Sequence, residues 1–143
     1  MTDAETRGGY RGYIGSRPVA GTRYPQRVQN LVVRDYAARH GLELLLSLTE
    51  YAMPGCYMML RDALAELAHA QGLILFSLFM LPPDPERRQA VYREVFERGA
   101  TLHAALEDLM VTGPEDLAKF EDILLVDAWL PHTPGRGYWD KAG

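Results

Sequence analysis

Tyr10-Arg-Gly-Tyr-Ile-Gly-Ser-Arg17, followed by Tyr24-Pro-Gln-Arg-Val-Gln-Asn30, decides the fold. The first stretch reads as a strand over Tyr10 to Gly15 that ends in a polar, Gly/Pro-containing loop. The second opens a helix at Pro25, where a first turn tolerates proline, and Gly41 closes that helix after His40. Val28, Leu31, Val32 and Tyr36 fall on one face of it at helical spacing. A strand feeding a helix through a polar loop is how an α/β domain builds a ligand site, so the stretch locates a site before it identifies a chemistry.

The same alternation continues outward. Leu42 to Leu48 is a nearly continuous apolar run, as expected of a buried parallel strand. A helix over Cys56 to Gln71 follows, then a third strand over Leu73 to Phe79. Asp84 caps a helix over Pro85 to Arg98, Gly99 ends it, and Ala100 to Ala105 forms a fourth strand. Thr112-Gly-Pro-Glu115 starts another helix, and Ile123 to Val126 either continues it or forms a fifth strand, with the strand favoured. The predicted architecture is a single open, mostly parallel α/β sheet of four or five strands flanked by helices, of the flavodoxin or resolvase kind, with right-handed crossovers. Residues 1–9 read as a flexible N-terminus, 10–130 as the domain, and 131–143 as an irregular tail whose Tyr138 and Trp139 dock on a neighbouring surface.

Composition narrows the function. With 143 residues the chain fits one domain with a real core, and 48% hydrophobic with 24% charged residues is ordinary for a globular protein. A net charge of −4 argues against general nucleic-acid affinity, which needs clustered cations. Lys119 and Lys141 are the only lysines, so the basic charge is nearly all arginine, whose planar fork suits carboxylate or phosphate capture. One cysteine, Cys56, leaves no internal disulfide, and the four scattered histidines lack metal-ligand spacing, so no metal is expected. Neither a signal peptide nor an apolar run of about 20 residues is present, so a cytoplasmic protein without membrane contact is expected. The glycines match neither GxGxxG nor a Walker loop, and no cofactor is expected.

In open α/β sheets ligands bind beyond the carboxyl ends of the strands. The loop after the first strand brings Ser16, Arg17 and Arg23, and the helix start adds Gln26, Gln29 and Asn30. These are the candidate substrate-binding residues: arginines for an anionic group, amides for sugar hydroxyls. Ser16 has no histidine at a telling distance and is read as a loop hydrogen-bonding residue rather than a nucleophile. Glu50 directly follows the second apolar strand and is the candidate acid/base group, with Tyr51 and Glu107 in support; two carboxylates converging on one cleft can divide acid and base roles. The competing reading is that Glu50 and Glu107 tie loops together by pairing with Arg17, Arg23 or Arg88. Tyr51, Met53, Tyr57, Met58 and Met59 form either an apolar ligand wall or core packing, and Arg87, Arg88 and Arg93 read as a solvated helix face.

The ordered set YRGYIGSRP, YPQRVQNLVVRDY, LLSLTEYAM, LFSLFMLP and LHAALEDL, spanning most of residues 10–126, resembles the small sporadic carbohydrate cluster proteins. The resemblance implies a setting, bacterial gene clusters for surface polysaccharides and sugar-containing metabolites, and no particular reaction. That family pattern has a histidine where Arg27 stands, so no role is carried to that position. Fainter similarities are to resolvase catalytic domains and to nucleoside deoxyribosyltransferase-like proteins, both at the level of fold. The expected function is therefore an enzyme of carbohydrate or sugar-containing metabolite biosynthesis. It would act on a sugar or nucleotide sugar by acid/base chemistry, as an epimerase or isomerase or by glycosidic cleavage. The alternatives are a non-catalytic sugar-binding or scaffolding subunit and, behind it, a degenerate resolvase-like protein. A homo-oligomer is expected, with sites completed across an interface.

Overall fold

Five strands in the order β2-β1-β3-β4-β5 form one sheet, whose first four strands are parallel and whose last is antiparallel. The structure is a computed structural model describing residues 8–51 and 56–129. Strand β1 is Tyr10–Gly15, β2 Leu44–Glu50, β3 Gly72–Leu75, β4 Thr101–Ala104 and β5 Leu109–Val111. Helix α1 spans Gln26–Arg39, α2 Met58–Ala65, α3 Pro85–Glu97 and α4 Leu117–Trp129. Single 3-10 turns follow α2 and β3 and precede α4.

The α/β expectation is what the chain adopts, a mostly parallel open sheet with one antiparallel pair. Side chains alternate across the sheet with period two. Tyr13, Leu73, Leu75, Leu102 and Ala104 pack with α2, α3 and Phe120 of α4 on one face. Ile14, Ile74 and Phe76 pack with Val33, Tyr36 and Ala37 of α1 on the other. The chain steps from β1 to β2 in one direction and from β2 past β1 to β3 in the other, which sends α1 and α2 to opposite faces. The order therefore reverses at β1, and a crevice opens beyond the ends of β1 and β3.

Three assignments change or are resolved. Ile123 to Val126 is helical, inside α4, where Ile123 and Leu124 pack on the core while Leu125 and Val126 stay exposed. The fifth strand is instead Leu109–Val111, a three-residue return from β4 with Met110 52% exposed, too short for alternation to mark it. The Cys56 to Gln71 helix is also shorter: it begins at Met58 and gives way to a 3-10 turn over Glu66–Ala68. Met53, Tyr138 and Trp139 lie outside the described residues. Within the described residues no helix is long and apolar enough to cross a membrane.

Strand β2 is an edge strand, and Leu46 on it is 80% exposed. A shallow groove along this edge is lined by Asn30, Arg34 and residues of β2.

Candidate functional site

Beyond Leu75, β3 turns away and leaves the β3-facing N–H and C=O of Gly15 without a strand partner. Gln29 of α1 supplies one. Its Oε1 accepts from Gly15 N at 2.9 Å and its Nε2 donates to Gly15 O at 2.6 Å, imitating a further strand residue. Nε2 also donates to Tyr24 O at 2.9 Å, and the side chain is fully buried. Gln29 therefore holds the crevice open at its root, and all of its polar capacity goes to backbone.

The loop after β1 then turns back on itself. Val19 and Thr22 exchange both backbone hydrogen bonds, at 2.7 and 3.0 Å, around Ala20 and Gly21, whose φ values of 49° and 85° mark a two-residue primed turn. Val19 anchors this miniature hairpin in the α1-side core. The hairpin forms one wall of a cleft of about 700 Å³. The opposite wall comes from Phe79 and Met80 after β3, the Pro83–Pro85 start of α3, and α4. That volume suits a small molecule.

Glu50 lies on the cleft floor, 3% exposed. Register explains its partners: Gly15 pairs with Glu50 and Tyr13 with Leu48, so Tyr13 and Glu50 project from the same face two residues apart. The Tyr13 hydroxyl donates to Glu50 Oε1 at 3.2 Å. The backbone N–H of Met59, in the first turn of α2, donates to Oε2 at 2.8 Å. The Arg17 guanidinium stands 3.8 Å from Oε1, donates to the carbonyl of Cys56 and lies over the Tyr57 ring at 4.3 Å. Burial, and then the charge of Glu50, push the Tyr13 phenol well above the ordinary tyrosine range, so Tyr13 is a fixed donor.

The other end of the cleft holds a second polar group, which sequence reasoning missed. Arg88 pairs with Glu121 through both carboxylate oxygens, at 3.0 and 2.8 Å, and donates to the carbonyls of Pro82 and Pro83. Tyr92 donates to the same Glu121 at 2.6 Å. The hydrogen bond from Arg88 is the main cause holding Glu121 below its usual carboxylate range. Arg88 is 8% exposed, which corrects its reading as part of a solvated face. The i, i+4 spacing of Arg88 and Tyr92 on α3 was the available signal.

Of the expected residues, the structure brings Arg17 and Glu50 together in the cleft. Glu107 does not line it. Its oxygens accept from Ser77 Oγ at 2.7 Å and Leu78 N at 2.9 Å, capping the 3-10 turn after β3. Tyr51 is 66% exposed and also outside the lining. Ser16 donates its backbone N–H to the Glu50 carbonyl, Arg23 and Gln26 are exposed, and Asn30 faces the β2 groove. Among the described residues no group of three His, Cys, Asp or Glu side chains is placed to hold a metal ion. No family model matches the chain, and neither does any curated protein or solved structure.

Proposed function

We propose that the protein is an enzyme of carbohydrate or sugar-containing metabolite biosynthesis, acting by acid/base chemistry at Glu50 on a small sugar-bearing substrate. The observation that carries the reading is the buried Glu50 carboxylate on the floor of a largely apolar cleft at the point where strand order reverses. Tyr13 and Met59 N–H fix its orientation, leaving a preset carboxylate beside a space of substrate size. In epimerisation or isomerisation Glu50 would take a carbon-bound proton from the substrate and return it at the other face or a neighbouring carbon. In glycosidic cleavage the protonated form would give its proton to the leaving oxygen while a water adds to the anomeric carbon, and the proton that water releases would restore the acid. Arg17, over Tyr57, is the positioning residue of the group.

A second reading, a non-catalytic sugar-binding or scaffolding subunit, is favoured by one fact. Both Glu50 oxygens already accept protein hydrogen bonds, which ties α2 to the sheet. The two readings separate on Glu50→Gln. With neutral sugars and glycosides in deuterated water, NMR would follow deuterium entering carbon positions and the release of free sugar. Turnover by the native protein that disappears in Glu50→Gln, with ligand binding kept, supports the enzyme. Unchanged turnover removes Glu50 from the mechanism; binding without turnover in the native protein favours the second reading.

The open β2 edge, with Leu46 exposed, supports the homo-oligomer part of the proposal. Sedimentation of the native protein and of Leu46→Lys tests it, and a monomer in both refutes it.

A further inference from the structure

We infer that the substrate of this cleft carries no phosphate or nucleotide and presents an apolar group toward α4: a neutral glycoside with an apolar aglycone rather than a nucleotide sugar. The inference rests on the sugar reading above and narrows it.

The first support is that an amide at the start of α2, the kind of group on which such folds hold phosphate, is already engaged. Beyond a parallel strand, anions sit on the free amides at the start of the next helix. Here the Met59 amide in the first turn of α2 donates to Glu50 Oε2 at 2.8 Å. That amide is spent on the protein's own carboxylate and not on a ligand anion.

The second support is the state of the arginines. Among the described residues, Arg17 and Arg88 are the two guanidiniums lining the cleft. Arg17 is engaged by the Cys56 carbonyl, the Glu50 carboxylate and the Tyr57 ring. Arg88 is forked onto Glu121 and held by two proline carbonyls. Two carboxylates of the lining, Glu50 and Glu121, already hold these cations. A phosphate entering the cleft would have to break one of these pairs to reach a guanidinium among the described residues.

The third support is the wall itself. Between the two polar ends the surface is mainly apolar, from Pro18 and Val19 on one side to Leu124 and Leu125 on the other. Leu125 is 59% exposed, and an aryl or alkyl group lying between the hairpin and α4 would cover it. A sugar ring at the Glu50 end would then meet the carboxylate, and the aglycone would run toward Leu125.

The test is calorimetric titration with a panel of 4-nitrophenyl hexosides, the matching methyl hexosides, and the matching hexose 1-phosphates and uridine diphosphate hexoses. One 4-nitrophenyl hexoside should bind about tenfold or more tighter than its methyl counterpart, as expected for burying an aromatic ring. It should also bind tighter than the phosphorylated forms of the same sugar, and Leu125→Asp, at an exposed position, should remove the gain. Tighter binding of a phosphorylated form, weakened by salt and by Arg17→Met, overturns the inference. So does the absence of saturable binding by every 4-nitrophenyl hexoside. A uridine diphosphate hexose turned over through Glu50 would overturn this inference and leave the enzyme reading standing. A 4-nitrophenyl hexoside bound without deuterium exchange or nitrophenol release would do the reverse.

Discussion

The Tyr13 hydroxyl stands 3.2 Å from Oε1 of Glu50, joining adjacent strands across a two-residue diagonal on the face covered by α2. Both side chains are nearly inaccessible, at 1% and 3% exposure. The phenol stays protonated because burial and the neighbouring carboxylate disfavour its anion, so the bond has a fixed direction.

Tyr13→Phe keeps the ring and deletes only this donor. A hydrogen bond to a charged group contributes about 1.5–3 kcal/mol, so the variant is expected to lose that much stability with an unchanged denaturant slope. Urea unfolding measures it. A loss below about 0.5 kcal/mol would mean that Arg17 and the Met59 amide hold the carboxylate unaided.

Gln29→Met preserves length and burial while removing both amide groups. Gly15 N and O and Tyr24 O would then lose their partner around a buried side chain. With about 1–3 kcal/mol for each of the three orphaned groups, a loss of at least about 3 kcal/mol is expected. Gln29→Glu is expected to be worse, since a carboxylate would face two carbonyls. Thermal and urea unfolding of the two variants, compared with the exposed-site control Gln26→Met, check the order.

These side chains show where the sequence is legible and where it is not. Tyr10–Gly15 is readable because a short alternating strand that runs into a polar loop needs only local information. Glu50 was readable because it ends a long apolar run. Gln29 sits at a polar position on an amphipathic helix, which by periodicity alone is solvent; only the parting of β1 from β3 makes it the most buried amide of the site. Arg88 and Glu121 lie 33 residues apart on helices that meet only in the tertiary fold. Ile123 to Val126 stays open in sequence because a continuous apolar run fits a buried strand and a helix face equally well. Glu107 reads like Glu50 in sequence, yet it leaves its strand toward the Ser77 turn and not toward the cleft.

The Arg88–Glu121–Tyr92 group carries its own pH signature. Glu121 titrates below the ordinary glutamate value of 4.5 in the folded protein, chiefly through Arg88. Its contribution is therefore present above pH 4.5 and lost as pH falls through the lowered folded value. Glu121→Gln is expected to cost roughly 1–3 kcal/mol at neutral pH, between a surface and a fully buried pair. The difference from the native protein should narrow below about pH 4.5. Paired urea titrations at several pH values measure it, and a pH-independent difference would remove the ion pair as the cause.

His103 supplies a second, separable window. Its ring bridges Tyr36 OH at 2.7 Å and Thr101 Oγ1 at 2.9 Å, with Tyr10 packed edge-on, in a site only 2% exposed. Tyr36, pushed up to about 12 by burial and then by Asp108, remains neutral and offers no charge to stabilise an imidazolium. Burial first, and then repulsion from His40, lower His103 from 6.5 to about 4. The unfolded chain therefore takes up this proton near pH 6.5 while the folded protein refuses it until about pH 4, so stability falls as the pH drops between those values. The full loss is about 3 kcal/mol at 1.36 kcal/mol per unit. Most of it comes before the Glu121 contribution begins to fade, so the two can be resolved in one titration. His103→Gln should flatten the profile between pH 6.5 and 4 whatever its effect on stability at neutral pH, because only the slope reports the proton. A slope equal to that of the native protein would place the acid sensitivity elsewhere.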